Sequence, residues 1–271
     1  SNFKPIQRVI DLDRRQPEFT LTFEQYLRRV VPKQRVNKGR EKLTKHKMLL
    51  NEIGKKYGVQ PRFIVSLWGI ETDFGRIGGG FSVVHSLATL AIDGRRRVFF
   101  RGQLIRALRI LDQGHITLER MRGSWAGAMG LFQFMPSSFE NFAVDYDGDG
   151  KRDIWRNKKD AFASAANYLS KSGWRNDQTW GREVKPPLGL DQSLYGLKIR
   201  KTLVEWQNLG VRRVDGSALP ARNLTGSLVR VNSTNSPVFL TYGNFLTILK
   251  WNRSTYFAVA VGTLAERIGG G

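Results

Sequence analysis

The chain has 271 residues, no cysteine, a hydrophobic fraction of 41% and a net charge of +21. This is the composition of a globular protein with a full core, in one large domain or two lobes, and not of a disordered chain. The lack of cysteine excludes a disulfide framework and a thiolate metal site, while the charge suits a polyanionic partner: nucleic acid, an anionic membrane surface or an acidic wall polymer.

Ser1-Asn2 reads as a processing scar, which is compatible with a removed export signal. The stretch up to Arg62 is strongly basic, with 16 Lys or Arg against 6 Asp or Glu. Phe23, Tyr26, Leu27 and Val30 have helical spacing, and Val31-Pro32 breaks that element. A second helix is expected from about Lys38 to Tyr57, with Leu43, Leu50 and Ile53 on its apolar side.

Gly58 and Pro61 mark the next helix start, since proline fits a first turn that has no use for its N–H. Phe63, Leu67, Ile70 and Phe74 recur at the period of a buried face, with Ile64, Trp68 and Glu71 on its shoulder. Arg76 and Gly78 to Gly80 end the element. Glu71 is thus a carboxylate on a largely apolar helix, where desolvation favours the protonated form that a general acid needs. The competing reading is a rim glutamate that reaches water or pairs with Arg62 or Arg76.

From Ser82 the pattern stays helical, first with Val84, Leu87, Ala88 and Leu90. After Asp93-Gly94-Arg95, a helix from Val98 to Leu111 is expected to bury Phe99, Leu104, Ile105, Leu108 and Leu111, with arginines on its other side. Nothing here resembles a nucleotide loop, because Gly78 to Gly80 follow a helix and no GK[ST] occurs. The block GSWAGAMGLFQFMPSSFENF, from Gly123 to Phe142, is rich in small residues that permit close backbone approach. Gln133, set among Phe132, Phe134 and Met135, is either a loop-capping amide or part of a carbohydrate subsite.

ETDFG after an apolar helix, GSWAGAMGLFQFMPSSF, DYDGDGKRDIW and ANYLSKSGW follow one another in an order and spacing that resemble the membrane-bound lytic murein transglycosylase B family. The closing YGNFLTILKWNRSTYFAVAVGTLAERI also looks like that family's final helix. The resemblance implies a lysozyme-like, mainly helical catalytic core that cleaves the MurNAc–GlcNAc bond of peptidoglycan. It maps the single catalytic glutamate onto Glu71 and substrate-binding roles onto Ser124, Gln133 and Asn252. Trp251 stands where the family pattern has tyrosine.

DYDGDGKRD places Asp145, Asp147, Asp149, the Lys151 carbonyl and Asp153 at the first ligand positions of an EF-hand loop. Position 12 is Arg156 instead of glutamate; the resemblance suggests a shifted ligand, for which Asp160 is the candidate. The alternative is an acidic turn without metal. No cofactor is expected for catalysis, and Ca²⁺ would be structural.

A helix from Asp160 to Ser170 follows, closed by Gly173-Trp174. Thr202 and Glu205 have capping-box spacing, and Ser227 to Val231 and Val238 to Tyr242 read as strands joined by Asn232 to Ser236. Ser254 can cap the last helix. The expected fold is mainly α, α+β overall: a lysozyme-like helical catalytic core over 1–183, a small mixed lobe over 184–243 and a C-terminal helix over 244–271 returning to the core. The sequons at Asn223, Asn232 and Asn252 read as accidental.

Glycosidases usually pair two carboxylates. Asp73, about 200° away from Glu71 on a continued helix, is not placed to serve, and the family uses one acid. Glu71 would protonate the glycosidic oxygen and then take the proton from the muramoyl C6 hydroxyl, giving a 1,6-anhydro sugar. The expected partners are peptidoglycan glycan strands and cell-wall synthesis proteins, with no nucleic acid, for a monomer in the bacterial periplasm or envelope. A hydrolytic muramidase, a non-catalytic wall-binding protein and a nucleic-acid binder are the competing classes. The last fits poorly because aromatic residues are not interleaved with the basic runs.

Overall fold

The computed structural model describes residues 3–14, 21–93, 95–231 and 236–270. Ser1-Asn2, Gly94 and residues 232–235, which include the Asn232 sequon and most of the expected strand turn, lie outside them. The chain adopts the expected class: mainly helical with a small antiparallel sheet, α+β overall. It forms two compact units, residues 1–20 with 37–168 and residues 21–36 with 169–271. These divisions differ from those at 183/184 and 243/244. Strand Gly181–Lys185 crosses the first of those boundaries and pairs with Val238–Thr241, so it belongs with the sheet.

The first unit is built around helix Pro61–Thr72, whose residues 63 to 69 are all buried. Pro61 sits in its first turn as the sequence suggests. The helix expected from Lys38 to Tyr57 is instead two, Lys33–Lys45 and Lys47–Tyr57, because His46 leaves helical geometry at φ −109°, ψ 19°. Gln7–Arg14, hidden among basic residues in the sequence, is a further helix.

Helix Arg97–Asp112 turns the other way from the one expected. It buries Phe100, Gln103, Ala107 and Ile110 and leaves Val98, Phe99, Ile105 and Leu108 exposed. Gln103 accounts for the rotation: its Oε1 accepts the Ser137 N–H at 2.9 Å and its Nε2 donates to Ser137 Oγ at 3.1 Å. The amide thereby satisfies the start of helix Pro136–Phe142, whose first N–H groups have no partner of their own.

In the second unit a five-stranded antiparallel sheet runs in the order Lys201–Thr202, Thr225–Arg230, Val238–Thr241, Gly181–Lys185, Arg212–Arg213. The Thr202–Glu205 capping box forms, with Thr202 Oγ1 accepting the Glu205 N–H at 3.2 Å and Glu205 Oε2 accepting the Thr202 N–H at 2.7 Å. Trp206, Leu228, Leu240 and Tyr242 centre the lobe's core, and Trp206 Nε1 donates to Gly226 O at 2.9 Å. The C-terminal stretch holds two helices, Gly243–Trp251 and Thr255–Gly269, the second capped by Ser254. Gly262 lets Trp180 lie on the second of them: a Cβ there would stand 2.2 Å from the indole.

Candidate active site

Glu71 lies in the last turn of helix Pro61–Thr72 and is half-buried. The helix stops one residue later. Asp73, Phe74 and Gly75 take the left-handed region in succession, at φ 48°, 61° and 86°. The 200° rotation argued for Asp73 therefore does not apply, since Asp73 is no longer helical. Its carboxylate is instead held by Arg76 Nε at 2.6 Å and Lys38 Nζ at 3.4 Å. Of the two arginines considered as partners for Glu71, Arg76 is thus engaged by Asp73.

Thr72 joins this helix end to the glycine-rich loop. Its Oγ1 donates to Leu131 O at 2.8 Å and accepts the Gly75 N–H at 3.0 Å. The loop, residues 123–135, is folded on itself by main-chain bonds between Met129 and Phe134, both at 2.8 Å. Ser124 belongs to this framework: its Oγ accepts the Ala128 N–H at 3.0 Å. Gln133, also left-handed at φ 51°, donates from Nε2 to Gly130 O at 3.0 Å and to Gly78 O at 3.4 Å.

Small residues are needed where the two segments meet. Phe81–Ser82 pairs antiparallel with Arg122–Gly123, and a Cβ at Gly79 would stand 2.0 Å from Gly123 O. Glu71, Ser124 and Gln133 therefore sit on three backbone segments tied by Thr72, Gln133 and this short ladder. Asn252 lies in the second unit, exposed at the end of helix Gly243–Trp251, where its Oδ1 accepts the Ser254 N–H at 3.0 Å.

In the acidic loop, carboxylate oxygens of Asp145, Asp147, Asp149 and Asp160 all lie within 4.8 Å of one another. Asp145 accepts the N–H groups of Gly148 at 2.7 Å and Gly150 at 2.8 Å. The Lys151 N–H goes to Asp149 Oδ1 at 2.8 Å. Asp153 is turned elsewhere, its Oδ1 accepting the Trp155 and Arg156 N–H groups, both at 2.9 Å. Asp160, fully buried, accepts the Tyr146 and Asp153 N–H groups at 2.8 Å each. Burial, and then the charges of Asp147 and Asp145, push its carboxyl up to about 6 against the pull of those two bonds. Such an all-oxygen, acid-rich set suits a hard divalent cation, which would relieve the crowding of negative charge.

Several features were not read from the sequence: the Thr72 tie, the ion pairs of Asp73, and the left-handed run after Glu71. Threonine beside a candidate acid is too common to signal a tie, and only Gly75 in ETDFG marks a turn. Trp68, whose ring meets Phe74 edge-on at 5.6 Å and Phe162 at 5.1 Å, has a buried Nε1 without a hydrogen-bond partner among the described residues.

The family model described as Transglycosylase SLT domain matches residues 1–266. Membrane-bound lytic murein transglycosylase B of Escherichia coli (strain K12) is 33% identical over 222 residues, 81% of this chain and 60% of that protein, so the chain spans about 60% of that relative's length. SltB3 from Pseudomonas aeruginosa, solved in complex with NAG-NAM-pentapeptide, superposes with a TM-score of 0.96 at 45% identity, covering 100% of this chain and 73% of that one. The Escherichia coli lytic transglycosylase Slt35, solved in complex with calcium, superposes with a TM-score of 0.84 at 29% identity, covering 99% of this chain and 84% of that one. With the family model matched along almost its whole length, the chain belongs to the transglycosylase SLT domain family.

Proposed function

We propose that the chain is a peptidoglycan lytic transglycosylase of the bacterial cell envelope. It would cut the MurNAc–GlcNAc β-1,4 bond and release a 1,6-anhydromuramoyl end, with Glu71 as sole acid and base. The observation that carries this reading is the placing of Glu71 at the end of a buried helix, tied through Thr72 to the glycine-rich loop. Its sequence neighbour Asp73 is neutralised by Arg76 and Lys38, which leaves it poorly suited to serve as a second carboxyl.

The protonated Glu71 gives its proton to the glycosidic oxygen as the C1–O bond breaks. The resulting carboxylate takes the proton from the muramoyl C6 hydroxyl, whose oxygen closes on C1. Glu71 ends as it began, and no water is consumed. Ser124 and Gln133 keep the loop in shape through bonds to Ala128, Gly130 and Gly78, so that a sugar meets a fixed backbone surface. Asn252 is proposed as a substrate contact from the family pattern. The carboxylates of Asp145, Asp147, Asp149 and Asp160, with the Lys151 carbonyl as a further donor of the loop, would hold Ca²⁺, while Asp153, expected as a ligand, is turned to the Trp155 and Arg156 N–H groups instead. The ion would supply charge neutralisation and leave the chemistry to Glu71.

Glu71→Gln keeps the shape and removes the transferable proton. Lysis of sacculi should fall by at least about a hundredfold, the lower end of general acid–base contributions, with sacculus binding kept. The intact protein should release muropeptides one water lighter than hydrolysis gives. Incorporation of ¹⁸O from solvent at C1 would make the chain a muramidase, and binding without lysis would make it a wall-binding module.

A further inference from the structure

Beside the acidic loop, residues of the turn Gly114–Arg120 together with Lys151, Asp153, Trp155 and Arg156 enclose a cavity of about 130 Å³. This is on the order of four waters' share of liquid volume, enough for a carboxylate and the carbon that bears it. Arg120, Lys151 and Arg156 line it; among the described residues none of the three forms a salt bridge within 4 Å, although Arg120 also acts on the exposed carboxylate of its neighbour Glu119. The cavity's one acid, Asp153, is occupied with the Trp155 and Arg156 N–H groups. Burial and then Arg152 lower the pKa of His115 against the opposing pull of Asp145, and Arg152 lies against the ring nitrogens at 2.8 to 3.2 Å. The Trp155 indole forms a fixed wall: its Nε1 donates to Arg122 O at 3.2 Å and its ring lies 5.8 Å from that of Phe139.

A fixed aromatic wall, Thr117 and three cations against the one carboxylate of Asp153 give a small concavity of net positive charge, which suits an anionic group on a compact carbon frame. The cavity is also joined to the candidate active site. The Trp155 bond to Arg122 and the Leu131 N–H bond to Ile154 O at 2.9 Å attach its wall to both arms of the loop that carries Ser124 and Gln133. We propose that this cavity takes a carboxylate of the peptide borne by the muramoyl sugar, so that the chain engages the peptide as well as the glycan. The assignment rests on the peptidoglycan reading above.

The intact chain, with calcium present, is titrated with the free stem pentapeptide, with the same peptide methyl-esterified at its carboxyls, and with inorganic phosphate. The indole N–H resonance of Trp155, assigned with Trp155→Phe, is followed by NMR. The pentapeptide should shift it. Esterification, and separately the double change Arg120→Ala, Arg156→Ala, should each weaken binding about tenfold or more, as expected for charge-assisted hydrogen bonds. Equal binding by the double variant or by the ester would overturn the proposal, and phosphate binding as tightly as the peptide would make the cavity a general anion site. On intact sacculi the double variant should show a raised KM at unchanged kcat, and the gap from wild type should shrink on sacculi stripped of peptides by an amidase. An equal loss on both substrates would overturn the peptide assignment. Peptide binding with no cutting of either would instead defeat the transglycosylase reading while leaving the carboxylate site standing.

Discussion

Thr72→Val tests whether the helix carrying Glu71 is held by the glycine-rich loop. The substitution keeps the β-branched shape and the buried position, where Thr72 is 1% exposed, and removes one hydroxyl. Leu131, half-buried, then loses the 2.8 Å donor to its carbonyl, at a cost of up to about 1–3 kcal/mol, the range for an acceptor left unpaired away from water. Gly75 is exposed, so its N–H can turn to water and adds little. At about 2–4 °C per kcal/mol for a domain of this size, Tm should fall by roughly 2–12 °C. Thr72→Ser separates the causes, because it keeps both bonds and loses a methyl worth about 0.8 kcal/mol. Thermal unfolding and sacculus lysis of the two variants give the answer: valine should lose more stability and more kcat than serine. Equal melting of the two, or a valine variant as stable as wild type, would refute the reasoning that the hydroxyl tie positions Glu71.

Calcium should raise Tm and EDTA lower it, because a ligand bound only by the folded state stabilises it by mass action; Asp145→Ala or Asp149→Ala should abolish the response in a melting assay. Asp160 has a folded pKa of about 6, above the ordinary carboxyl value of 3.8, so without calcium the folded state binds more protons between these limits. Its contribution to stability should then rise as pH falls from about 7 towards 4, while calcium affinity falls; Asp160→Asn should flatten the Tm–pH curve across that window. Gln133→Gly relieves a left-handed non-glycine residue, worth on the order of 1–3 kcal/mol of strain, and deletes the bonds to Gly78 and Gly130. Tm should change little, whereas the rate of lysis should drop. Gly79→Ala sets a Cβ 2.0 Å from Gly123 O, and should cost both stability and lysis.

Much of the framework of the candidate site was legible because its signals are local. Pro61 at a helix start, the apolar spacing to Trp68, the small residues from Gly123 to Gly130 and the Asp-x-Asp-x-Asp-Gly loop each follow from a rule of one or two turns of chain. Asp160 could be reached only through the family resemblance, since no spacing rule places a buried acid eleven residues beyond Asp149 in the Asp145–Asp149 cluster. Helix Arg97–Asp112 was misread for a related reason. Leu, Ile and Phe recur on the side predicted to be buried, but the side that packs is chosen by Gln103, a polar residue that satisfies another helix's first N–H groups. Hydrophobic periodicity gives no weight to such a residue. The split at His46 was missed because nothing in the surrounding Lys-rich run marks a stop.

The left-handed run after Glu71 shows why the site departs from local rules. Asp tolerates that region, but Phe74 is bulky, and each such non-glycine residue costs on the order of 1–3 kcal/mol. A helix continued through Phe74 would avoid this cost. The surroundings oppose it at every residue. Thr72 is bound to the Leu131 carbonyl, Asp73 is clamped between Arg76 and Lys38, and the Phe74 ring sits edge-on against Trp68. Ending the helix directly after Glu71 leaves the carboxyl on the last turn, with the chain free to run out through Gly78 to the glycine-rich loop. Gln133 has the same left-handed geometry on the loop side of that junction, and its amide bonds back to Gly78. Strain on both sides of one junction, compensated by bonds between the two segments, fixes where Glu71 and the glycine-rich loop meet. A relaxed helix and a relaxed loop would each satisfy their own residues and leave that distance unspecified.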